Sequence, residues 1–311
     1  MISKSQILAR EKKWSLIAGI ASVMGVAIIL ATFSGSSASV RASAGLAEEL
    51  IRIDGDRSGL WIASIGQFIG WSLLAIPLVF MFKAAAARSP RVRTALIGVM
   101  IIAPLLIGIG SLLSAGSVLQ AATDYRDVDQ ATITKCVDEK VADADTEVTD
   151  EERDDFVTEC EDEEAADIRS ATSLANIETG VGLAGLLVFT ISIVYVALWS
   201  MRTGLLSRFW GSLGIALGAV FAFFTLFTLV WFIYIGLLLA GWVPGGRPPA
   251  WAAGEAVAPT RPGERAPDDD EDVIEGTADE VEISADELEP GEAEDFPDDP
   301  QGERRKRKKR N

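Results

Sequence analysis

Apolar residues in this chain gather in long runs that no polar period interrupts. Trp14–Phe33, Leu60–Phe82, Ala95–Leu119 and Ile177–Trp199 are four such runs. About 20 apolar residues at 1.5 Å rise per residue match the roughly 30 Å hydrocarbon core of a bilayer. Helices of soluble cores carry a polar face at that length. The pattern predicts an all-α, polytopic transmembrane helical bundle.

A fifth run, Phe209–Trp242, is ambiguous. As one tilted helix it would be about 50 Å long, well beyond the core. As two spans, about 209–223 and 226–242, it needs a tight turn near Phe223–Thr228. No Gly or Pro marks that turn, although Thr225 and Thr228 can satisfy freed backbone groups. Six spans are expected, with five as the alternative. Pro77 and Pro104 are expected to kink the second and third spans.

Short basic segments fix an expected orientation. Lys4, Arg10, Lys12 and Lys13 precede the first run, Lys83, Arg88, Arg91 and Arg93 follow the second, and Arg202 and Arg208 follow the fourth. The positive-inside rule places all three in the cytoplasm and leaves loops 34–59 and 120–175 outside. Trp14, Trp199 and Trp210 then fall at the inner interface and Trp61 at the outer one. The first run, followed by Ala42-Ser43-Ala44, has the outline of a signal peptide, but it is too long for an h-region and reads as a retained anchor. The expected compartment is a bacterial plasma membrane.

Composition adds exclusions. The 311 residues are 49% hydrophobic yet carry a net charge of −17, and the charge is concentrated in two blocks, about 124–169 and 264–310. There is no histidine, which removes the usual general base and commonest metal ligand and excludes a zinc enzyme or a Ser-His-Asp hydrolase. No ionisable side chain lies deep in a run; Glu178, at the start of the fourth, comes nearest. Such groups mark proton relays and coupled transport, so a proton-coupled transporter is disfavoured. Gln67 is the one strongly polar side chain at depth, read as an interhelical hydrogen bond. No enzyme, cofactor or metal site is expected.

Small residues recur at helical spacing. Gly66-xxx-Gly70 and Gly214-xxx-Gly218 are expected helix-packing pairs, with Ala21-xxx-Gly25 and Gly110-xxx-Ser114 as looser versions. Gly180-Val-Gly182-Leu-Ala-Gly185 fits a dinucleotide fingerprint as a string, but it opens an apolar run rather than joining a strand to a helix, and reads as a packing face.

The loop from Arg202 to Gly211 (RTGLLSRFWG), the glycine-rich helix after it and the exit Gly245–Trp251 (GGRPPAW) resemble a group of uncharacterised multi-span membrane proteins of high-GC bacteria. The resemblance covers mainly residues 177–255. It implies an even number of spans with a short break between the last two helices, and no known activity.

The polar remainder divides in two. In the 120–175 loop, helices are expected over Gln130–Val141 and from the capping box Thr149-Asp-Glu-Glu152 toward Glu163. Cys136 and Cys160 then sit on facing helices and are expected to form a disulfide stapling an outer helical hairpin, with free thiols as the alternative; the closed loop of about 24 residues is worth about 3 kcal/mol. Asp143-x-Asp145-x-Glu147 and Asp54-x-Asp56-x-Ser58-Gly59 echo the start of a calcium loop but lack its later positions, and read as solvated turns. Ser43–Ile53 reads as a short amphipathic helix on the outer surface, with Leu46, Leu50 and Ile53 down.

The second polar piece is residues 244–311, set apart from a 1–243 transmembrane domain. It reads as a disordered acidic tail with 19 acidic residues between Glu264 and Glu303. It ends in Arg304, Arg305, Lys306, Arg307, Lys308, Lys309 and Arg310, which can hold to anionic lipid. Val273–Ile283 could serve as a short partner-binding motif. Expected partners are the bilayer, anionic lipid at the terminal block and a protein bound by the outer loop or tail; no specific nucleic acid is expected. The resulting functional expectation is a non-enzymatic membrane protein acting by association. The alternative is a channel or carrier for a small solute or cation through an uncharged pathway.

Overall fold

A computed structural model describes residues 4–40, 45–144 and 148–257, with backbone alone for 34–40. All regular structure among them is helical: α1 (Lys4–Val40), α2 (Leu46–Gly55), α3 (Arg57–Arg88), a 3-10 turn (Thr94–Leu96), α4 (Ile97–Arg126), α5 (Gln130–Asp143), α6 (Asp150–Ala171), α7 (Ala175–Arg202), α8 (Arg208–Ala219), α9 (Thr225–Ala240) and α10 (Ala250–Ala253). Residues Ala42–Ala44, Asp145, Glu147 and the whole of 258–311 lie outside the described residues, and with them the cleavage motif, the Val273–Ile283 motif and the basic block Arg304–Arg310.

Four helices, α1, α3, α4 and α7, are long and apolar enough to cross a membrane. Their outward faces remain apolar. Leu183, Leu187 and Ile191 recur every fourth residue along α7, and each is more than half exposed. Water penalises a stripe of that kind and lipid does not, so these features fit a membrane-embedded protein. Pro77 and Pro104 sit inside continuous helices.

Helix α1 packs between α3 and α9, α3 packs on α4, and α4 on α7, which carries α8. The contacts close on glycine. A Cβ on Gly70 would lie 2.6 Å from Ile29 and 3.0 Å from the Gly25 carbonyl oxygen; one on Gly66 would lie 2.5 Å from Thr32. Gly214 meets Trp231 and Ala197, and Gly218 meets Val194. Gly19 and Gly236 form a further crossing that no paired motif announces: a Cβ on Gly19 would lie 2.7 Å from the Gly236 carbonyl oxygen. Beside it, the buried Ser22 hydroxyl donates to the Phe232 carbonyl at 2.7 Å.

The ambiguous run breaks between Ala219 and Thr225, so one long tilted helix is ruled out. The break lies slightly before the expected turn. Threonines satisfy the carbonyls it frees, as Thr225 Oγ1 donates to Phe221 at 3.0 Å and Thr228 Oγ1 to Phe224 at 3.4 Å. The two helices fold back as an antiparallel hairpin: Trp231 Nε1 donates to the Trp210 carbonyl at 3.0 Å, and the Trp210 and Tyr234 rings stack 3.5 Å apart. Trp210 therefore locks the hairpin rather than simply marking an interface. The hairpin returns the chain to the end of the bundle where α1 begins.

That end is clamped by a buried ion pair which the sequence reading passed over. The Arg88 side chain is fully buried and the Glu11 side chain is 7% exposed. Arg88 Nη2 donates to Glu11 Oε2 at 2.8 Å and to the Ala250 carbonyl at 2.9 Å; Nη1 donates to Glu11 Oε1 and the Ala84 carbonyl; Nε donates to Ala250. All five guanidinium N–H groups are used. Arg247 in turn donates to the Leu238 carbonyl at 3.0 Å and to that of Leu239, capping α9 beyond the left-handed Gly241.

The expected tail boundary at 244 is corrected here. Residues 244–257 stay packed on the bundle, with Ala250 and Trp251 buried. Trp251 Nε1 donates to the Leu205 carbonyl at 3.0 Å, and Val257 N to that of Thr203 at 3.3 Å. Backbone bonds and two arginines override a Gly- and Pro-rich composition.

Breaking a buried pair leaves an uncompensated charge, at a cost of about 3–5 kcal/mol. Glu11→Leu or Arg88→Met alone should therefore lower the thermal midpoint in detergent sharply. The double variant Glu11→Leu/Arg88→Met should recover much of the loss, and a melting series of the three variants checks this.

Candidate functional site

Two features at the other end of the bundle can meet a ligand or partner. The first is a cleft of about 640 Å³ between α3, α4 and α7. Its polar lining comes from Ser64 and Gln67 on α3, Ser111 and Ser114 on α4, and Glu178 and Thr179 on α7. Phe221, from the break between α8 and α9, lies at its floor within a packed cluster: its ring centroid is 4.9 Å from Phe189 and 5.9 Å from Trp71. Trp71 is part of that apolar floor.

The cleft exists because small residues face one another without closing. Gly182 has open space where a Cβ would stand, and a Cβ on Gly110 would find only Gly182, at 3.9 Å; Gly180 is exposed and outside the lining. The expected packing roles of Gly110-xxx-Ser114 and of the Gly180–Gly185 string are corrected accordingly. Of that string only Gly185 packs closely: a Cβ there would lie 3.2 Å from the Ile107 backbone N. Gln67 lines this cleft and a neighbouring cavity beside Phe33 and Phe223; the interhelical hydrogen bond expected of it is not among the bonds formed. Motif spacing reported which residues are small, and the orientation of the neighbouring helix decided whether that smallness became contact or void.

The second feature is the acidic head formed by α2, α5 and α6. Cys136 and Cys160 form a disulfide, with Cα atoms 6.0 Å apart. Around it pack Ile133, Val137, Phe156 and Val157. Eleven of the 22 residues of α6 are acidic. Lys140 of α5 reaches Glu159 at 3.0 Å and Glu163 at 3.6 Å, but Glu151, Asp154, Asp155 and Asp167 stay exposed. Helix α6 runs two turns beyond the expected end, because Ala165 and Ile168 pack against α2 and α4.

Helix α2 is not a surface helix facing lipid. Leu50 is fully buried, and Leu46 and Ile53 pack beside it against Ala121, Ala122 and Ala165. Its N-terminus has no local cap; instead Asp162 of α6 accepts from Ala47 N at 2.9 Å. That one carboxylate joins the two polar segments. Asp54 pairs with Arg57 and Arg126, and Arg57, the nearer, holds its carboxyl below the usual range. Asp56 caps α3 by accepting from Gly59 N. Among the described residues no group of three His, Cys, Asp or Glu stands close enough to hold a metal ion.

The capping box starts α6 as expected. Thr149 N donates to Glu152 at 2.8 Å, and the Thr149 hydroxyl accepts from Glu152 N at 3.3 Å. The Thr149 backbone N–H holds the Glu152 carboxyl below its ordinary 4.5, with the hydroxyl adding to the effect. A lowered folded value contributes stability that is full above the unfolded value and is lost as pH falls through the folded one. Protection factors of the amides at residues 150–153, taken against the intrinsic exchange rate at each pH, should therefore fall as pH drops below the Glu range. Glu152→Gln should flatten that dependence, since Gln can complete the same box.

The cleft makes its own prediction. The chain has no free cysteine among the described residues. Ser114→Cys should accordingly react with a small water-soluble thiol reagent, and adding Gly182→Phe should suppress that labelling to background. No protein-family model matches the chain, and no curated protein and no solved structure matches it.

Proposed function

We propose that this chain is a non-enzymatic, multi-pass protein of a bacterial plasma membrane that acts by association through its acidic head. The rigidity of that head carries the reading. A disulfide, a buried apolar centre and the Asp162 cap hold α2, α5 and α6 on the ends of α3, α4 and α7. The exposed face of α6 then presents a dense, fixed array of carboxylates. Such a surface suits a partner with basic patches and would speed their encounter at low ionic strength.

In this reading the α8–α9 hairpin is the last pair of six spans and both chain termini are cytoplasmic. Support comes from the basic residues around Arg10, Arg91 and Arg208 at one end and the acidic head at the other. The tail beyond 257 contributes a second contact, with Arg304–Arg310 holding anionic lipid. Membership of the group of high-GC bacterial membrane proteins belongs to the same proposal. The two segments that carry that likeness, 202–211 and 245–251, pack against each other.

A second reading, carriage or channelling of a small polar solute or cation, draws on the cleft alone. Its polar lining and Glu178 could admit such a molecule. The aromatic floor of Trp71, Phe189 and Phe221 argues against an open path and favours the association reading.

Quadruple neutralisation, Glu151→Gln, Asp154→Asn, Asp155→Asn and Asp167→Asn, should abolish salt-sensitive cross-links from the head to a basic partner without lowering the thermal midpoint. Unchanged cross-linking would sink the association reading, and cation flux in proteoliposomes that depends on Glu178 would favour the carrier. A single cysteine placed at Asn311 should react with an impermeant thiol reagent only from the cytoplasmic side of oriented vesicles; labelling from outside would overturn the six-span arrangement.

A further inference from the structure

At the end of the bundle opposite the head, a groove of about 430 Å³ runs between α1 and α3. Its walls are hydrocarbon: Ala18 on one side, Ala75, Ile76 and Val79 on the other, with Ile101 of α4 behind. The small side chains of Ala18, Ala75 and Ala84 leave the space open. Its end is polar and cationic. Arg10 and Lys83 line it, both are exposed, and neither has an ion-pair partner among the described residues. Glu11 also reaches the groove, but its carboxylate is held by Arg88. The free charge facing the groove is therefore positive. Trp14, half-exposed, stands at the rim, where an amphipathic ring suits the headgroup level of a membrane.

We infer that this groove is a binding site for one anionic phospholipid. Its phosphate would lie between Arg10 and Lys83, and an acyl chain would run along Ala18, Ala75, Ile76 and Val79. The argument is complementarity at both ends. A free inorganic anion would use the two cations and leave the hydrocarbon walls bare. A zwitterionic lipid would fill the walls but bring its own cation against Arg10 and Lys83. An anionic amphiphile satisfies both. The site differs from the basic block Arg304–Arg310, because it offers an acyl-chain groove as well as charge, and it does not depend on the association proposed for the head.

Native mass spectrometry of the full-length protein in detergent tests this. Phosphatidylglycerol and phosphatidylcholine with the same acyl chains are titrated in parallel. Wild type should retain one phosphatidylglycerol in preference, by roughly thirtyfold for two cations at a lipid headgroup. Arg10→Gln/Lys83→Gln should bring the two lipids to parity. Ile76→Trp, which fills the groove and leaves the cations in place, should weaken both. Replacing Arg304–Arg310 by glutamines should leave the preference intact. Each variant is compared at an unchanged thermal midpoint with the Cys136–Cys160 disulfide formed. Equal retention of both lipids by wild type would overturn the proposal. So would a preference that survives Arg10→Gln/Lys83→Gln, one lost with the terminal block, or displacement of phosphatidylglycerol by inorganic phosphate alone.

Discussion

A charged side chain withdrawn from water must find its partners within the protein, and Arg88 makes five hydrogen bonds to three groups at once. Its guanidinium binds the carboxylate of Glu11 on α1, the Ala84 carbonyl on its own helix and the Ala250 carbonyl of the exit segment. Those bonds tie three distant parts of the chain into one end of the bundle. The direction in which α1 enters, the place where α3 ends and the course of residues 244–257 all follow. Trp251, which the exit segment carries, then lies under both Arg88 and Arg247 and reaches the loop after α7 through Leu205. Without Arg88 the exit segment would lose the bonds to Ala250 and keep those of Arg247, Trp251 and Val257.

Away from this clamp the helices are held by shape. The hydrophobic effect gives little drive between helices in lipid, so close backbone approach has to supply it. Glycines at 19, 25, 66, 70, 214, 218 and 236 allow that approach. The same residue type at 110 and 182 does the opposite and leaves a cleft with polar walls. Smallness permits contact, but it yields contact only where a neighbouring helix comes in to use it.

The two ends of the bundle differ in chemistry as well as charge. One presents carboxylates on a disulfide-stapled head, and the other presents arginines and lysines around a buried ion pair and a hydrocarbon groove. Between them lies an aromatic layer where Trp71, Phe189 and Phe221 meet.

Four long helices, the capping box of α6 and the facing positions of Cys136 and Cys160 were legible in the sequence, which left the Phe209–Trp242 run open between one helix and two. Each rests on local periodicity or on a spacing set by helix geometry. Only the tertiary structure decided the rest. The Glu11–Arg88 pair joins residues 77 apart, the Asp162 cap of α2 spans 115, and the Arg88–Ala250 bond spans 162. No local pattern encodes such pairs: a carboxylate three residues before a span and an arginine six after another read as ordinary flanking charge until the helices that carry them are laid side by side. For the same reason Gly19 and Gly236, neither of them part of a Gly-xxx-Gly pair, could not be recognised as a crossing, nor Gly182 as part of a void.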